Sequence, residues 1–412
     1  MPWAQVAPIL RQESSKYSVL AASGGNSIYY HHAFQGATLN PHTLWFVESD
    51  PNVPLNVSRP LLRTQESAYR LCKEAKWKFR ISGAVEKEFL FATALSEGIL
   101  PFFVRDLTLV VLPILIHDGR LIMAASDEIL GEGFQFASDW VKQAEEKFAK
   151  RSKDRSMTAQ KRLNYQRLLA SQAVDPSFVV LYNKSGTNIS AALLSRKERK
   201  GIGDLAVKGF IAESVTYRIY PKSESEALYL VGVLNSSIVN TAIKPYQTEG
   251  VYHGKRDIHR RPFEVCSIPE FSPNDKTHDQ IVELTRAARQ KVAKWAHGAS
   301  GGLAKVRELA RELVADEIRG IDASVQTILS KPSTKEVVKS SEQTDLFQTD
   351  LQPEFHAYGQ SYTSRQSRLP GDDSRRCILQ VRGPLKRRRP PTRSSTQYSR
   401  SGQALVRSIW SS

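Results

Sequence analysis

Apolar and polar positions in the first 60 residues alternate in short runs separated by turn signals. Ser27–Tyr30 and Thr43–Val47 are aromatic or β-branched, and Gly36 and Asn40-Pro41 lie between them. Such runs predict strands, because β-branched and aromatic side chains fit a pleated sheet while Gly and Pro interrupt it. We therefore expect a hairpin or a pair of sheet strands here.

Similar runs predict further strands downstream. Leu107–Leu115 and Arg120–Ala124 flank Asp118-Gly119, a favourable two-residue hairpin turn. Phe178–Tyr182 ends at a polar turn, and Thr216–Tyr220 ends at a proline. These runs predict a substantial content of β-sheet in the first two thirds of the chain.

Helical periodicity replaces this pattern in two places. From 137 to about 173, apolar residues recur three and four positions apart among alternating charges, which is typical of a solvent-facing helical arm. Ser223, with Glu226 three residues later, forms a capping box ahead of apolar residues at helical spacing from Ala227 to Ile238. A helix is predicted to start there.

Two helices are predicted to close the ordered region. Thr277 and Gln280 form a second capping box, and helical spacing continues to Gly298. Another helix is predicted from Leu303 to Leu329, with Gly320 as its weak point because glycine lowers helix stability.

The chain divides into three segments. Residues 1–222 are predicted to be the β-rich part of one region, with the helical arm at about 137–173. Residues 223–330 carry the capped helix, a basic loop and the helix pair of the same region. Residues 331–412 are rich in Ser, Thr, Gln, Pro and Gly and are predicted to be a disordered basic tail. The predicted fold class is α+β, with a mixed β-sheet.

Positive charge is distributed unevenly. The formal net charge is +16, of which residues 361–412 contribute +10 and residues 331–360 contribute −2, which leaves +8 for residues 1–330. A positive excess attracts phosphate backbones and makes binding weaken with salt, without specifying a sequence.

The three cysteines, Cys72, Cys266 and Cys377, lie far apart, so neither a disulfide framework nor a zinc site is indicated. The longest apolar run, Leu107–Ile116, is short for a bilayer and contains Pro113, and the N-terminus lacks a basic signal-peptide region. We expect a cytoplasmic protein with no membrane partner.

The segment Tyr246–Glu264 has the highest density of residues able to contact nucleic acid, because basic, aromatic and glycine residues are interleaved in it. Cationic groups contact phosphates, aromatic rings stack on bases, and glycines let the backbone approach closely. The candidate DNA contacts in this stretch are Lys255, Arg256, Arg260, Arg261, His259, Tyr252 and Tyr246. The alternative is a solvated basic loop closing a hairpin. Asp257 is a candidate to neutralise Arg256, and Pro262-Phe263 to anchor the loop in the core.

Tyr182–Asn188 is a second polar segment, dense in hydrogen-bonding groups. Asn183, Lys184 and Asn188 are its candidate contacts to base edges or phosphates. A capped polar turn is the alternative interpretation.

Catalytic signatures are not found. The sequence lacks a convincing glycine-rich cofactor turn, since Gly131-Glu-Gly133 is a weak signal, and it lacks the Asn/Asp/Ser-Pro-Pro-aromatic tetrad that holds a flipped adenine. Asn40–Thr43 is better interpreted as a turn. His31 and His32 are expected on opposite strand faces, which disfavours joint metal ligation. We therefore predict no catalytic, cofactor-binding or metal-binding residue.

Several segments, taken together and in this order, resemble one known family: Tyr30–Val47, Leu100–Phe103 with Val110–Ile114, Val180–Asn188, Glu226–Ser236, Ile243–Gly250 with Arg256–Glu264, and Ile268–Phe271. They are similar to the C-terminal target-recognition half of large class I adenine-N6 DNA methyltransferases. This half is the TaqI-like specificity domain of type IIG restriction-modification and related phage-defence enzymes. The resemblance covers about Glu13 to Leu329.

In that family, the N-terminal half binds S-adenosylmethionine and methylates a flipped adenine, while the C-terminal half grips duplex DNA and reads the site. The resemblance therefore implies sequence-specific recognition of double-stranded DNA without catalysis by this chain. S-adenosylmethionine is expected in a catalytic half that is truncated or split from it, or in a separate methyltransferase chain. The family commonly has Pro-Arg where this chain has Pro41-His42, which alters a cationic contact at neutral pH.

Two other interpretations remain open. One is a site-specific adenine DNA methyltransferase whose catalytic core is not recognisable from the sequence. The other is a nonspecific RNA- or polyanion-binding protein.

Overall fold

The computed structural model describes residues 27–247 and 256–330. Its strands are β1 (Phe34–Gln35), β2 (Val47–Ser49), β3 (Leu61–Thr64), β4 (Ser82–Ala84), β5 (Leu90–Thr93), β6 (Ile99–Leu100), β7 (Phe103–Val104), β8 (Thr108–Val111), β9 (Ile114–His117), β10 (Arg120–Met123), β11 (Phe178–Asn183), β12 (Ala191–Ser195), β13 (Gly201–Ile202), β14 (Leu205–Ala206), β15 (Gly209–Phe210) and β16 (Thr216–Ile219). Its α-helices are α1 (His42–Trp45), α2 (Glu66–Leu71), α3 (Ser126–Gly131), α4 (Gln135–Arg151), α5 (Ala159–Leu163), α6 (Glu224–Asn235), α7 (Ser237–Ile243), α8 (Arg261–Val265), α9 (Lys276–Ala296), α10 (Leu303–Leu313) and α11 (Ala315–Ser330). The fold class is α+β, as predicted.

A four-stranded antiparallel sheet forms the centre of one core, in the order β1-β16-β11-β12. β11 and β12 form a hairpin in which Val180 is opposite Leu193 and Tyr182 is opposite Ala191. β11 is a continuous apolar run because side chains on both of its faces are buried. The strands predicted at Phe178–Tyr182 and Thr216–Tyr220 are confirmed.

α6 packs on β11 and β12 and is itself covered by α9 and α11, so nearly all of its residues are buried. Its predicted start is confirmed: Ser223 Oγ accepts a hydrogen bond from the Glu226 amide at 3.1 Å, although the Glu226 carboxylate reaches the Lys222 amide. Gly232 allows α9 to approach closely, since a Cβ there would lie 2.3 Å from Thr285 Oγ1.

The C-terminal helices differ in detail from the prediction. α9 begins two residues earlier than expected, because Asp275 is the N-cap and accepts from the Thr277 amide at 2.7 Å. The predicted second helix is divided at Val314 into α10 and α11. Gly320 is not the break: it lies inside α11, where a Cβ would come 2.8 Å from Leu284 Cδ1. Close helix packing explains this glycine better than helix weakness.

Smaller sheets and α4 form a second core in the N-terminal part. The sheets are ordered β2-β3-β4 and β15-β5-β8, and β15 runs parallel to β5. α4 packs on β4 and buries Trp140, whose Nε1 donates to Leu44 O at 3.1 Å. One face of the predicted solvent-facing arm is therefore part of a core.

Local strand signals near the N-terminus are only partly confirmed. Asp118 and Gly119 have positive φ values of 49° and 69°, as the predicted two-residue hairpin turn between β9 and β10 requires. Ser27–Tyr30, however, lies in a 3-10 turn, and most of Thr43–Val47 lies in α1. Tertiary contacts override strand propensity here, since the buried Tyr29 hydroxyl donates to Glu226 Oε1 at 3.0 Å.

No single described helix is both long and apolar enough to cross a membrane. A bent pair, Glu224–Asn235 with Ser237–Tyr246, passes by length and composition alone, with a 57° bend. The first member of this pair is α6, which lies inside the core.

Candidate nucleic-acid interface

The loop 184–190 that joins β11 to β12 is shaped by Asn183. Its Nδ2 donates to Ser185 O at 2.9 Å and to Asn188 O at 3.1 Å, and its Oδ1 accepts from the Ser190 amide at 2.7 Å. Asn183 is completely buried. This candidate contact residue therefore positions the loop, while Lys184 is half-buried and Asn188 is exposed on it.

Backbone hydrogen bonds join this loop to the basic segment 256–261. The Gly186 amide donates to Arg256 O at 2.8 Å, and Ser185 forms an antiparallel bridge with Asp257. The Lys184 carbonyl accepts from the amides of Ile258 and His259 at 2.9 and 3.2 Å. The two segments that the sequence singles out thus form one surface, which we call the basic interface (residues 184–190 and 256–261).

The basic segment is fixed to the core below it. Ile258, Pro262 and Phe263 are buried, and Phe263 packs near the rings of Tyr29 and Tyr182 at centroid distances of 6.1 and 6.2 Å. The predicted anchoring by Pro262-Phe263 is confirmed. This anchorage gives the cationic side chains a defined place on the surface.

Four cationic side chains lie on the interface. Lys184, Arg256, Arg260 and Arg261 are all half-buried. Arg260 Nε donates to Ala33 O at 2.8 Å, which fixes the direction of its guanidinium. Such an arrangement favours contact with a polyanion.

Some polar atoms of the basic interface, and one of the neighbouring Gln247, lack hydrogen-bond partners within the described part of the chain. Arg261 Nε, His259 Nε2 and Gln247 Oε1 are buried and have none, and the Gln247 amide reaches Gly186 O only at 3.4 Å. Buried polar atoms are nearly always satisfied in folded proteins, and an exception commonly marks a ligand site or an ordered water. Two of these three atoms are donors, or become donors on protonation, and therefore suit an anionic ligand.

His259 lies within the charged cluster. Its ring is stacked on Tyr217 at 5.9 Å, and its Nε2 is 3.6 Å from Asp257 Oδ1. Burial lowers the pKa of His259 below its ordinary value, Lys184 and Arg261 lower it further, and Asp257 opposes them. The imidazole is thus neutral at neutral pH and gains a proton more readily if an anion arrives.

The remaining candidate residues lie beside or beyond this surface. Tyr246 ends a 3-10 turn, Lys244–Tyr246, and is 42% exposed. Tyr252 and Lys255 lie outside the described residues, as does the predicted tail 331–412.

The far side of the loop is held by residues that the sequence analysis did not single out. Asn240 Oδ1 accepts from the Ile189 amide at 2.6 Å, and the Asn235 side chain pairs with both backbone groups of Ala191. Arg311 on α10 donates to the carbonyls of Ile189 and Asn235. Burial lowers the pKa of Arg311 to about 10. These contacts join positions far apart in the chain, so no local sequence pattern predicts them.

His42 occupies a different environment, beside a cavity of about 500 Å³ whose lining includes Phe46, Trp77 and Phe148. Its ring centre is 4.1 Å from that of Phe46, with the two rings tilted by 32°, and its Nε2 is 3.8 Å from Oε1 of the buried Glu213. Burial alone would raise the pKa of Glu213, but His42 and the hydrogen bonds from Val215 and Ser214 lower it overall. His42 therefore faces a buried acid.

Other candidate chemistry is limited. Gly131-Glu-Gly133 connects α3 to α4, so the strand-to-helix context of a cofactor-binding turn is not present at these glycines. His31 and His32 are both exposed, with His31 at the end of the 3-10 turn. Within residues 27–247 and 256–330, no three His, Cys, Asp or Glu side chains are arranged to hold a metal ion.

Two solved structures show a weak likeness to the chain. One is the type IIL restriction-modification enzyme MmeI in complex with DNA, with 14% identity and a TM-score of 0.43 over 77% of this chain and 35% of that enzyme. The other is the type IIG restriction endonuclease BpuSI, with 14% identity and a TM-score of 0.31 over 76% of this chain and 33% of that enzyme. The chain spans about a third of the length of each. No family model and no curated protein matches the sequence.

Proposed function

We propose that this chain is the DNA-recognition half of an adenine-N6 DNA methyltransferase of the restriction-modification or phage-defence type. The observation that carries the proposal is the basic interface, in which the Gly186 amide and the Arg256 carbonyl join two distant segments at 2.8 Å. Both segments also belong to the sequence resemblance described above.

The residues of the basic interface are suited to different parts of the DNA, according to their charge and exposure. Lys184, Arg256 and Arg261 are suited to phosphate contacts, which position a protein on duplex DNA. Asn188 is exposed at the loop tip, where an amide is able to pair with a base edge in the major groove. His259 adds a donor whose strength depends on its protonation.

The chemistry of methylation belongs, in this proposal, to a catalytic domain that lies elsewhere in a longer protein or in a separate chain. S-adenosylmethionine binds to that domain. We place the complex in the cytoplasm, in keeping with Cys72 and Cys266, which are free thiols. Double-stranded DNA is the partner of the basic interface.

Selection from a randomised duplex pool, with the full-length chain at fixed salt, tests this proposal. Enrichment of a consensus sequence is expected. Arg256→Ala and Arg261→Ala should each weaken binding by about ten- to a hundredfold, since charge-assisted hydrogen bonds contribute roughly 1.5–3 kcal/mol. Each should also reduce the slope of log affinity against log salt by about 1.

Arg70→Ala is the matched control, because Arg70 is 76% exposed and paired with Glu66 away from the interface. It should leave affinity and salt slope unchanged. Binding without any consensus would support a nonspecific polyanion-binding protein instead. Binding of S-adenosylmethionine to the isolated chain, measured by calorimetry, would contradict the proposal that this cofactor binds only to a separate catalytic domain.

A further inference from the structure

The segment from α4 to the turn after α5 carries a concentration of positive charge that lies outside the basic interface. Residues 142–167 contain nine Lys or Arg and three acids, a net charge of +6. We call residues 142–167 the arm surface, and its cations are Lys142, Lys147, Lys150, Arg151, Lys153, Arg155, Lys161, Arg162 and Arg167. Seven of these nine side chains are exposed and two are half-buried. Such a surface attracts a polyanion.

Neighbouring acids do not neutralise these cations. In the part of the chain that the structure describes, none of the nine forms an ion pair, whereas Arg70 and Arg80 both pair with Glu66. Two of the three acids, Glu145 and Asp154, already accept hydrogen bonds from hydroxyl groups at 2.7 Å. The cations are therefore available to a ligand.

The arm surface is fixed to the core beneath it. Trp140 and Phe148 are buried on the opposite face of α4. Between α4 and α5, Thr158 Oγ1 accepts from the Lys161 amide at 3.2 Å, and Lys161 Nζ donates to Ser156 O at 3.0 Å. Cations on a fixed scaffold lose less conformational entropy when they bind a ligand.

A short series of contacts leads from the arm surface to the basic interface. The Ser171 amide donates to Arg167 O at 2.9 Å, and the Ser171 hydroxyl lies 3.3 Å from Arg218 Nη2. The Arg218 guanidinium carbon is 5.7 Å from the Phe34 ring centre, and that of Arg260, in the basic interface, is 5.6 Å from the same ring. The two basic surfaces are thus only a few side chains apart, and one extended polyanion is able to contact both.

Duplex DNA is the polyanion that fits this extension. Its phosphates continue beyond a recognition site, at one charge per about 1.7 Å of helix axis. The cations of α4 from Lys142 to Arg151 span about 14 Å, at 1.5 Å per residue. Contacts from Lys and Arg to phosphates carry no sequence information.

We infer that the arm surface binds the phosphate backbone of the duplex that flanks the sequence held at the basic interface. This inference rests on the proposed function. It makes the affinity depend on the length of the flanking DNA and not on its sequence.

The test measures the affinity of the full-length chain for duplexes that carry the selected consensus, either without flanks or with flanks of about one helical turn, roughly 10 base pairs. The wild-type chain should bind the flanked duplex at least about tenfold more tightly. One variant replaces four exposed cations by glutamine: Lys150, Arg151, Lys153 and Arg155. It should lose this preference, and its slope of log affinity against log salt on the flanked duplex should fall by about 3 to 4.

A matched control removes the same charge from exposed positions on other elements: Lys222→Gln, Lys294→Gln, Lys305→Gln and Arg319→Gln. It should keep the preference for the flanked duplex, because the arm surface is intact. Loss of the preference in both variants would mean that total charge, and not the arm surface, determines the dependence on length, and would overturn the inference.

Acetylation of lysines in the wild-type chain supplies a second measurement that needs no variant. The flanked duplex should protect Lys150, Lys153 and Lys161, as detected by mass spectrometry, and the unflanked duplex should not. Equal affinity of the wild-type chain for the two duplexes, or equal acetylation of these lysines with both, would overturn the inference while leaving the proposed function intact. Binding of neither duplex, or selection without a consensus, would overturn both.

Discussion

The Asn183→Ala variant tests whether Asn183 acts by positioning the loop 184–190 and not by contacting a ligand itself. The substitution removes three side-chain hydrogen bonds, which link Asn183 to Ser185 O, Asn188 O and the Ser190 amide at 2.7–3.1 Å. Each such bond contributes about 1 kcal/mol net. Ser190 is 1% exposed, so its amide would be left buried without a partner.

The expected loss is about 3 kcal/mol of unfolding free energy, equivalent to a decrease in Tm of roughly 6 °C. Thermal unfolding followed by circular dichroism measures it. DNA affinity, measured at a temperature where the variant is folded, should also fall, because the loop no longer presents Lys184 and Asn188 in a fixed arrangement.

Asn188→Ala is the matched control. Only the backbone carbonyl of Asn188 takes part in the hydrogen bonding of Asn183, and its side chain is exposed. Its Tm should therefore stay close to that of the wild-type chain, while its DNA sequence preference changes. A Tm for Asn183→Ala within about 1 °C of wild type would refute the reasoning, because three buried hydrogen bonds cannot be lost at so little cost.

Two further predictions concern titratable groups. DNA affinity should increase as the pH falls from about 7.5 to about 6, because a bound phosphate raises the lowered pKa of His259 and favours its protonation. Anisotropy titrations should show that His259→Gln makes the affinity less dependent on pH. An unchanged pH profile in this variant would exclude His259 from the contact. Glu213 has a folded-state pKa below its ordinary value of 4.5, so its stabilisation is present above that pH and is lost as the pH falls through the lowered pKa. His42→Ala removes one cause of the lowering, so the variant should be less stable than the wild-type chain at neutral pH, and urea unfolding at stepped pH should show this difference shrinking as the pH falls below about 4.5; identical profiles would contradict the pairing.

The sequence predicts elements whose determinants are local. The capped start of α6 and the turn at Asp118-Gly119 depend on neighbouring residues, and the structure contains both. The 3-10 turn at Tyr29 was not predicted, because a hydrogen bond to Glu226, far along the chain, selects it over a strand. The sequence pattern predicts the start of α9 two residues late, because Asp275 and not Thr277 caps the helix.

The candidate site follows the same division. Residue type alone identified Arg256 and Lys184, since clustered charge is visible in the sequence. The pairing of their two segments is not visible in the sequence. It depends on backbone groups such as the Gly186 amide and the Arg256 carbonyl, and every residue type has such groups.

Arg311 couples the opening of α10 to the opening of the loop 184–190. Its guanidinium donates to the carbonyls of both Ile189 and Asn235, so α10 and the loop cannot separate without breaking these hydrogen bonds and exposing a half-buried arginine further. Opening of α10 and opening of the loop are therefore linked equilibria. A ligand that immobilises the loop should slow amide hydrogen exchange along Leu303–Leu313, a helix more than a hundred residues further along the chain.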